Sequence, residues 1–292
     1  MQKREYTVEK DGVIKEFLSG VLGFSSSFIK RAKYGHIYVN GETVHMRAPV
    51  RAGDRVTVDM ADADAAVSAP LRPTGLLPDI LYEDDDIVAV NKPCGMPTHP
   101  SAGNSLPTLC DVMEEYYASV PFVFRAVGRL DRDTSGIVLL ARHQPAAGYL
   151  AAAMQKGRFR KEYTAVTERP PSPPAGTVDA PIARECENAL RRVVRPDGKR
   201  AVTSYEVLGV SESGHALVRL SLFTGRTHQI RVHMAYIGAP LLYDFLYGTK
   251  TEGETYRLHA SALAFPHPSD GHTVTLTSAP PFLSSERFLP PV

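Results

Sequence analysis

Apolar residues in the first sixty positions repeat at helical spacing and then at strand spacing. Ile14, Phe17, Leu18, Val21 and Leu22 fall three or four apart up to Gly23, which predicts a short helix. Ser25-Ser26-Ser27 opens a second helix through Phe28, Ile29 and Ala32 to Gly35. The segment Ile37 to Val44, folded about Asn40-Gly41, predicts a hairpin, and Val50 to Val58 a further strand, so the order is ααβββ. Residues 61–79 turn to Ala, Asp and Pro without apolar periodicity and read as a linker. Beyond them, the all-apolar runs Ile87 to Val90 and Ile137 to Ala141 predict buried strands, while Lys161 to Val166 and Leu217 to Leu222 alternate as strands do. Helices are predicted over 106–117, over 146–156 with Gly157 as the stop, and over 227–237 with Gly238 as the stop. The pattern divides the chain into 1–60, a linker 61–79, and 80–292, with no internal repeat.

With 43% hydrophobic residues in 292, the chain can bury a large core. Its net charge of +1 does not announce a nucleic-acid partner, so that argument rests on where the charges lie. Basic residues gather at Lys30, Arg31 and Lys33, at Lys156, Arg158, Arg160 and Lys161, and at Arg191, Arg192, Arg195, Lys199 and Arg200. Each cluster also has a plain structural reading as a solvated face, a complement to a helix dipole, or a charged sheet edge. Residues 1–60 hold ten Lys/Arg against seven Asp/Glu, a net of only +3. Three cysteines without CxxC spacing point to neither a disulfide framework nor a zinc site and suit a reducing cytoplasm. The N-terminus lacks an apolar signal core, and no run approaches the roughly 18 apolar residues of a membrane span. A cytoplasmic protein with no membrane partner is expected.

The densest chemistry lies in Gly128 to Gly136, where Asp131, Asp133, Arg129 and Arg132 crowd a turn that leads into a buried strand. Aspartates before Ser-Gly commonly make only turn hydrogen bonds to backbone amides, so the stretch alone leaves a working carboxylate and a structural one equally open. The loop Asn91 to Pro100, with three prolines, places Lys92 beside it or near a ligand. Tyr163 sits in an alternating strand, where a tyrosine is ordinarily core. His228 and His233, five apart, do not share a helix face, so no metal is expected.

Arg129-Leu130-Asp131 with Thr134-Ser135-Gly136 resembles the RLDxxTSG signature of the RluA family of RNA pseudouridine synthases, although that family usually has histidine where this chain has Gly128. Asn91-Lys92-Pro93 to His99-Pro100, Lys161-Glu162-Tyr163-Thr164-Ala165, and Thr224-Gly225-Arg226-Thr227-His228-Gln229-Ile230-Arg231-Val232-His233 are similar to further motifs of the family, in the same order. Gly35 to Gly41 and Val50 to Val56 resemble an S4 RNA-binding domain, though the usual Arg-Leu-Asp start is replaced by Val13 to Leu18.

The resemblance implies an α+β fold, a mixed and largely antiparallel sheet preceded by a small S4-like ααβ domain. It implies an enzyme that isomerises uridine to pseudouridine without cofactor or metal. Asp131 is then the nucleophile, Tyr163 the face on which the flipped base stacks, and Arg231 the partner of Asp131 in a salt bridge at the cleft floor. Arg129, Lys92, Arg226, His228, Lys30, Arg31 and Lys33 are expected to meet RNA, with large-subunit ribosomal (23S) RNA the first expectation, transfer RNA the alternative, and a monomer the expected state. Two rivals keep the fold or the carboxylates but not the reaction: a noncatalytic RNA-binding factor, and a glycosidase using Asp131 and Asp133, whose spacing gives no visible way to flank a sugar bond.

Overall fold

The computed structural model of the chain describes residues 3–22, 24, 28–30, 35–59, 72–101, 103, 105–120, 122–285 and 287–290. Near the N-terminus, strands β1 (Lys3–Thr7), β3 (Ile37–Val39), β4 (Glu42–Thr43) and β6 (Arg55–Asp59) form a sheet in the order β1-β6-β3-β4. The short strands β2 (Gly12–Val13) and β5 (Pro49–Val50) pair beside it. Ile14, Leu18, Phe28, Ile37, Val56 and Val58 close a core of their own.

The Asn40-Gly41 hairpin forms as predicted. Both residues have positive φ, 51° and 89°, as the tight turn between twisted strands requires. The first predicted helix is one α turn, α1 (Ile14–Glu16), widening into a π-type turn over Phe17–Val21. Of the second, Phe28, Ile29 and Lys30 are helical, and Arg31 and Lys33 lie outside the described residues. Strand β1 was not anticipated: Lys3, Arg4, Glu5 and Thr7 give it no apolar period, and it is held by its ladder to β6.

The larger sheet has ten strands: β7 (Ile80–Glu83), β8 (Ile87–Lys92), β9 (Ser135–Ala141), β10 (Arg160–Thr167), β11 (Ala175–Asp179), β14 (Val202–Ser211), β15 (Ala216–Leu222), β16 (Leu258–Pro266), β17 (Thr273–Thr277) and β18 (Phe288–Leu289). Its main path runs β11-β14-β15-β10-β16-β9-β8-β7, with β17 on β16 and β18 on β14. A small hairpin, β12 (Ile182–Arg184) with β13 (Arg192–Val194), stands apart. Helices α2 (Leu109–Tyr116), α3 (Gln144–Gln155) and α4 (Gln229–Tyr236) complete it, all three at the predicted places. The expected α+β architecture is the observed one.

Every pairing in this sheet is antiparallel except β9 with β16, where Ser135 faces His259 and Gly136 faces Ala260. That junction explains the glycine of Thr134-Ser135-Gly136. Gly136 has φ 109°, and a Cβ there would sit 2.4 Å from the Ala260 carbonyl oxygen. The central strand β9 is buried along its whole length, so the loop before it is anchored at its C-terminal end.

Candidate active site

Asp131 lies on the loop that enters β9, and the carbonyls around it are all engaged. Thr98 Oγ1 donates to Leu130 O (2.8 Å), the Thr134 amide to Asp131 O (3.1 Å), Lys92 Nζ to Arg132 O (3.0 Å) and Cys94 Sγ to Asp133 O (3.1 Å). Four consecutive peptide oxygens are thus fixed, three by side chains from the end of β8 and the proline-rich loop that follows it. That loop is a cradle for the Asp131 loop.

Lys92, expected near RNA or the site, is completely buried and so turned away from any RNA. Its three N–H bonds go to Pro93 O (2.9 Å), Met96 O (2.7 Å) and Arg132 O, the full donor capacity of an ammonium. Burial pulls its pKa down from 10.5 to about 8, against the fields of Cys94, Asp133 and Asp131. Lys92 therefore shapes the site and does not face its ligand.

The Asp131 carboxylate, about one-fifth exposed, opens onto a cleft walled by Arg129, Tyr163, Arg226, His228, Arg231 and Leu258. His228 Nε2 stands 3.9 Å from Asp131 Oδ2. Desolvation lowers the His228 pKa, with Arg231 and Arg192 adding to the effect and Asp131 opposing it, so the ring is neutral near pH 7. Its Nδ1 lies 2.8 Å from Tyr247 Oη, which already accepts the Arg192 amide. Nε2 is the ring nitrogen that faces Asp131. His228 holds φ 58° at the start of α4, and this left-handed turn brings the ring back over the cleft.

Arg231 corrects an expectation. Its guanidinium makes a two-pronged pair with Asp244, 2.7 Å on each arm, and both side chains are buried. Tyr256, Tyr247 and Phe245 surround it at 4.2, 5.0 and 5.3 Å from their ring centres. Asp244 is the nearer anion because it also caps the Leu246 and Tyr247 amides, which locks its carboxylate toward α4. Arg231 lines the cleft but is not salt-bridged to Asp131.

Tyr163 emerges from β10 at a bulge between Glu162 and Tyr163. Burial and the neighbouring Asp131 push its phenol pKa up, so the hydroxyl stays neutral. Among the described residues that hydroxyl has no hydrogen-bond partner. Arg129 is exposed at the mouth, and Arg226 is exposed with its Nε donating to Arg200 O (3.0 Å). Lys30 is exposed within the N-terminal sheet's half of the chain and does not line this cleft. Asp133 is removed from the cleft by a bidentate pair with Arg132 (2.8 and 2.9 Å), which leaves Asp131 without a second carboxylate to act as a glycosidase pair.

The model of the family described as RNA pseudouridylate synthase matches residues 86–236. An uncharacterized RNA pseudouridine synthase of Bacillus subtilis (strain 168), YjbO, is 37% identical over 260 residues, 87% of this chain and 90% of its own. The chain belongs to the RNA pseudouridine synthase family. Ribosomal large subunit pseudouridine synthase D of Vibrio parahaemolyticus serotype O3:K6 (strain RIMD 2210633) is 38% identical over 259 residues, 81% of this synthase and 77% of its own. The solved human RNA pseudouridylate synthase domain containing 1 is similar at 25% identity and a TM-score of 0.64, covering 76% of this synthase and 92% of that chain. The RluA-type resemblance and the isomerase activity follow from these relationships.

Sequence reasoning assigned no role to Asp244, Tyr247 and Tyr256 of the synthase. Tyr256 Oη lies 3.1 Å from Thr134 Oγ1, tying the Asp131 loop to the Arg231 box from the far side. The one local signal was the stretch Tyr243 to Tyr247, whose acidic residue sits among aromatics. His228 and His233 do not converge: His233 is held by Thr203 and Ala180 O. Among the described residues, ligand-like groups occur instead at Asp84, Asp86 and His267 and at His267, Asp270 and His272. Asp86 leads into Ile87, which pairs with Ala141, whereas Lys92 pairs with Gly136 beside the cleft, so these groups lie toward the opposite end of β9.

Proposed function

We propose that this synthase converts a uridine of large-subunit ribosomal RNA to pseudouridine, with Asp131 as the nucleophile. The observation that carries the reading is the fixed Asp131 loop presenting its carboxylate to the same cleft as Tyr163 and the Nε2 edge of His228. In the isomerisation the bond from ribose C1′ to N1 breaks and one from C1′ to C5 forms. The C5 hydrogen leaves as a proton and N1 takes one up, so no oxidant or cofactor is needed. A stacked uridine cannot reach Asp131, and the target base is therefore flipped out and laid against the Tyr163 ring, with Arg129 at the mouth holding the displaced strand.

The choice of ribosomal RNA rests on the relatives whose names state that substrate. Residues 1–60 serve as an S4-like RNA-binding domain, with Lys30, Arg31 and Lys33 toward phosphate, 61–79 as the linker and 80–292 as the catalytic domain. Exposed Arg184, Lys199 and Arg226, with half-buried Arg192, border a groove of about 910 Å3 empty volume beside the cleft and extend the phosphate track. Work on ribosomal RNA and three free cysteines fit a cytoplasmic enzyme.

Pseudouridine mapping by carbodiimide-dependent reverse-transcription stops tests the reading. Total RNA is compared from cells with the gene, without it, and complemented with Asp131→Asn. A large-subunit stop that disappears on deletion and returns only with the native sequence is expected. Stops in transfer RNA alone would overturn the substrate, and full rescue by Asp131→Asn would overturn the nucleophile.

A further inference from the structure

A second hollow lies beside the cleft and shares Arg129, Leu130 and Tyr163 with it as a common wall. It is open to solvent, has an empty volume of about 480 Å3, and is otherwise walled by Leu139, Met154, Phe159 and Leu263. One cation reaches into this apolar space. Lys156, Arg158 and Arg160 stay exposed at the end of α3, while Lys161 turns inward. Its ammonium lies 3.6 Å from Met154 Sδ and 5.9 Å from the Phe159 ring centre, and it has no oxygen acceptor among the described residues. Contrast Lys92, whose three donors are all used. Lys161 has donors to spare, in surroundings where an unmade hydrogen bond is costly.

We propose that this hollow receives a second nucleobase, the neighbour of the target uridine, with a carbonyl oxygen of that base on Lys161 Nζ. The proposal rests on the reading of the cleft as the uridine site. Because Tyr163, Leu130 and Arg129 separate the two hollows, an RNA strand crossing them leaves successive bases on either side. A base fits the apolar walls by its faces and the ammonium by its edge. A phosphate does not fit, since a single cation would have to repay its whole desolvation, whereas Arg129 at the rim meets phosphate in water. Guanine, uracil and cytosine each offer a carbonyl oxygen and adenine offers none, so the position discriminates against adenine.

Gly128 supplies the entrance. A Cβ there would meet only Met154 Cε, at 4.0 Å, so a side chain can be added without a clash and would grow over the mouth of the hollow. Two variants therefore attack the site independently: Lys161→Met removes the cation and Gly128→Leu blocks the entrance. Turnover is read as tritium released from an unmodified large-subunit ribosomal RNA transcript tritiated at uracil C5. The expected result is a KM raised about tenfold or more in each variant, with kcat within about threefold of the native enzyme and recovery in Lys161→Arg. In transcripts with the flanking nucleotides changed singly to adenosine, one position should raise the native KM by a similar factor and leave that of Lys161→Met unchanged. Native KM values in both variants, or an adenosine penalty equal in the native enzyme and Lys161→Met, would overturn the proposal alone. No tritium release by the native enzyme would instead overturn the substrate reading, and this proposal with it.

Discussion

Three carbonyl oxygens accept from the Lys92 ammonium, and only one of them belongs to the loop that carries Asp131. This gives Lys92 opposite effects on stability and on turnover. Its folded pKa of about 8 lies below the ordinary 10.5, so the folded chain binds this proton more weakly than the unfolded chain does. The resulting cost to stability is full below about pH 8 and fades as pH rises toward 10.5. A neutral amine, however, has one donor fewer for the three oxygens. Turnover should therefore fall above about pH 8 without a fall in melting temperature attributable to this group, as paired kcat–pH profiles and thermal melts would show. Lys92→Met should likewise leave Tm close to native, because the desolvation cost departs with the charge, yet lower kcat about 100-fold by loosening the Asp131 loop. Asp131→Asn should remove turnover by about a thousandfold or more while RNA affinity by filter binding changes less than about threefold.

Helix α4 and the turn after it act as one element. The helix offers His228 and Arg231 to the cleft, and the turn answers with Asp244, which caps two amides while gripping the guanidinium. Asp244→Ala strands a buried Arg231 and should cost about 3–5 kcal/mol, read as a shift in urea midpoint, before any effect on chemistry is counted. The periodicity of the sequence located α4, β9, β10 and the hairpin at Asn40-Gly41, because each has a local cause: an apolar run, an alternation, a turn residue. The partner of Arg231 had no local cause. Asp244 lies 13 positions on, beyond the reach of spacing rules, and the choice between it and Asp131 is made by tertiary geometry. Lys92 stands beside the Asp131 loop, one of its two expected places, but its burial away from RNA was not legible for a related reason, since a lysine in a loop reads as exposed unless the carbonyls that satisfy it are known. The edge strand β1 was invisible because its side chains show no apolar period, and its ladder to β6 and contacts such as Tyr6 with Phe24 are set by tertiary structure.

At the scale of the molecule, the N-terminal sheet is tied to the large one through Arg4, whose Nη1 lies 2.7 Å from Asp86 Oδ1, and Asp86 also binds His143 at 2.7 Å. Desolvation pushes the Asp86 pKa up, but the hydrogen bonds from His143 and Arg4 outweigh it and hold it below its ordinary value of 3.8. Stability from a depressed carboxylate is present above the unfolded pKa and lost as pH falls through the folded one. Limited proteolysis should therefore release the N-terminal segment more readily below about pH 4, and Arg4→Ala should show that release already at neutral pH. The groove at Arg184 and Lys199 makes a separate prediction. Every cation removed from a single-stranded phosphate track shallows the salt slope of log K by about 0.7, so the double alanine variant should shallow it by roughly 1.4 without changing which uridine is modified.

The loop bearing Asp131 has no idle peptide oxygen between Leu130 and Asp133, and three of its four restraints come from a stretch more than thirty positions earlier. Such a loop cannot be inherited or transplanted by itself. A chimera that exchanges only 128–136 with a relative would pair a new backbone with an old cradle, whereas one that exchanges 92–98 together with it moves a complete unit. The two segments form a single heritable module split in the gene, and changes that retarget the enzyme have free play away from its fixed carbonyls, at Gly128 on its edge and along the β12–β13 hairpin.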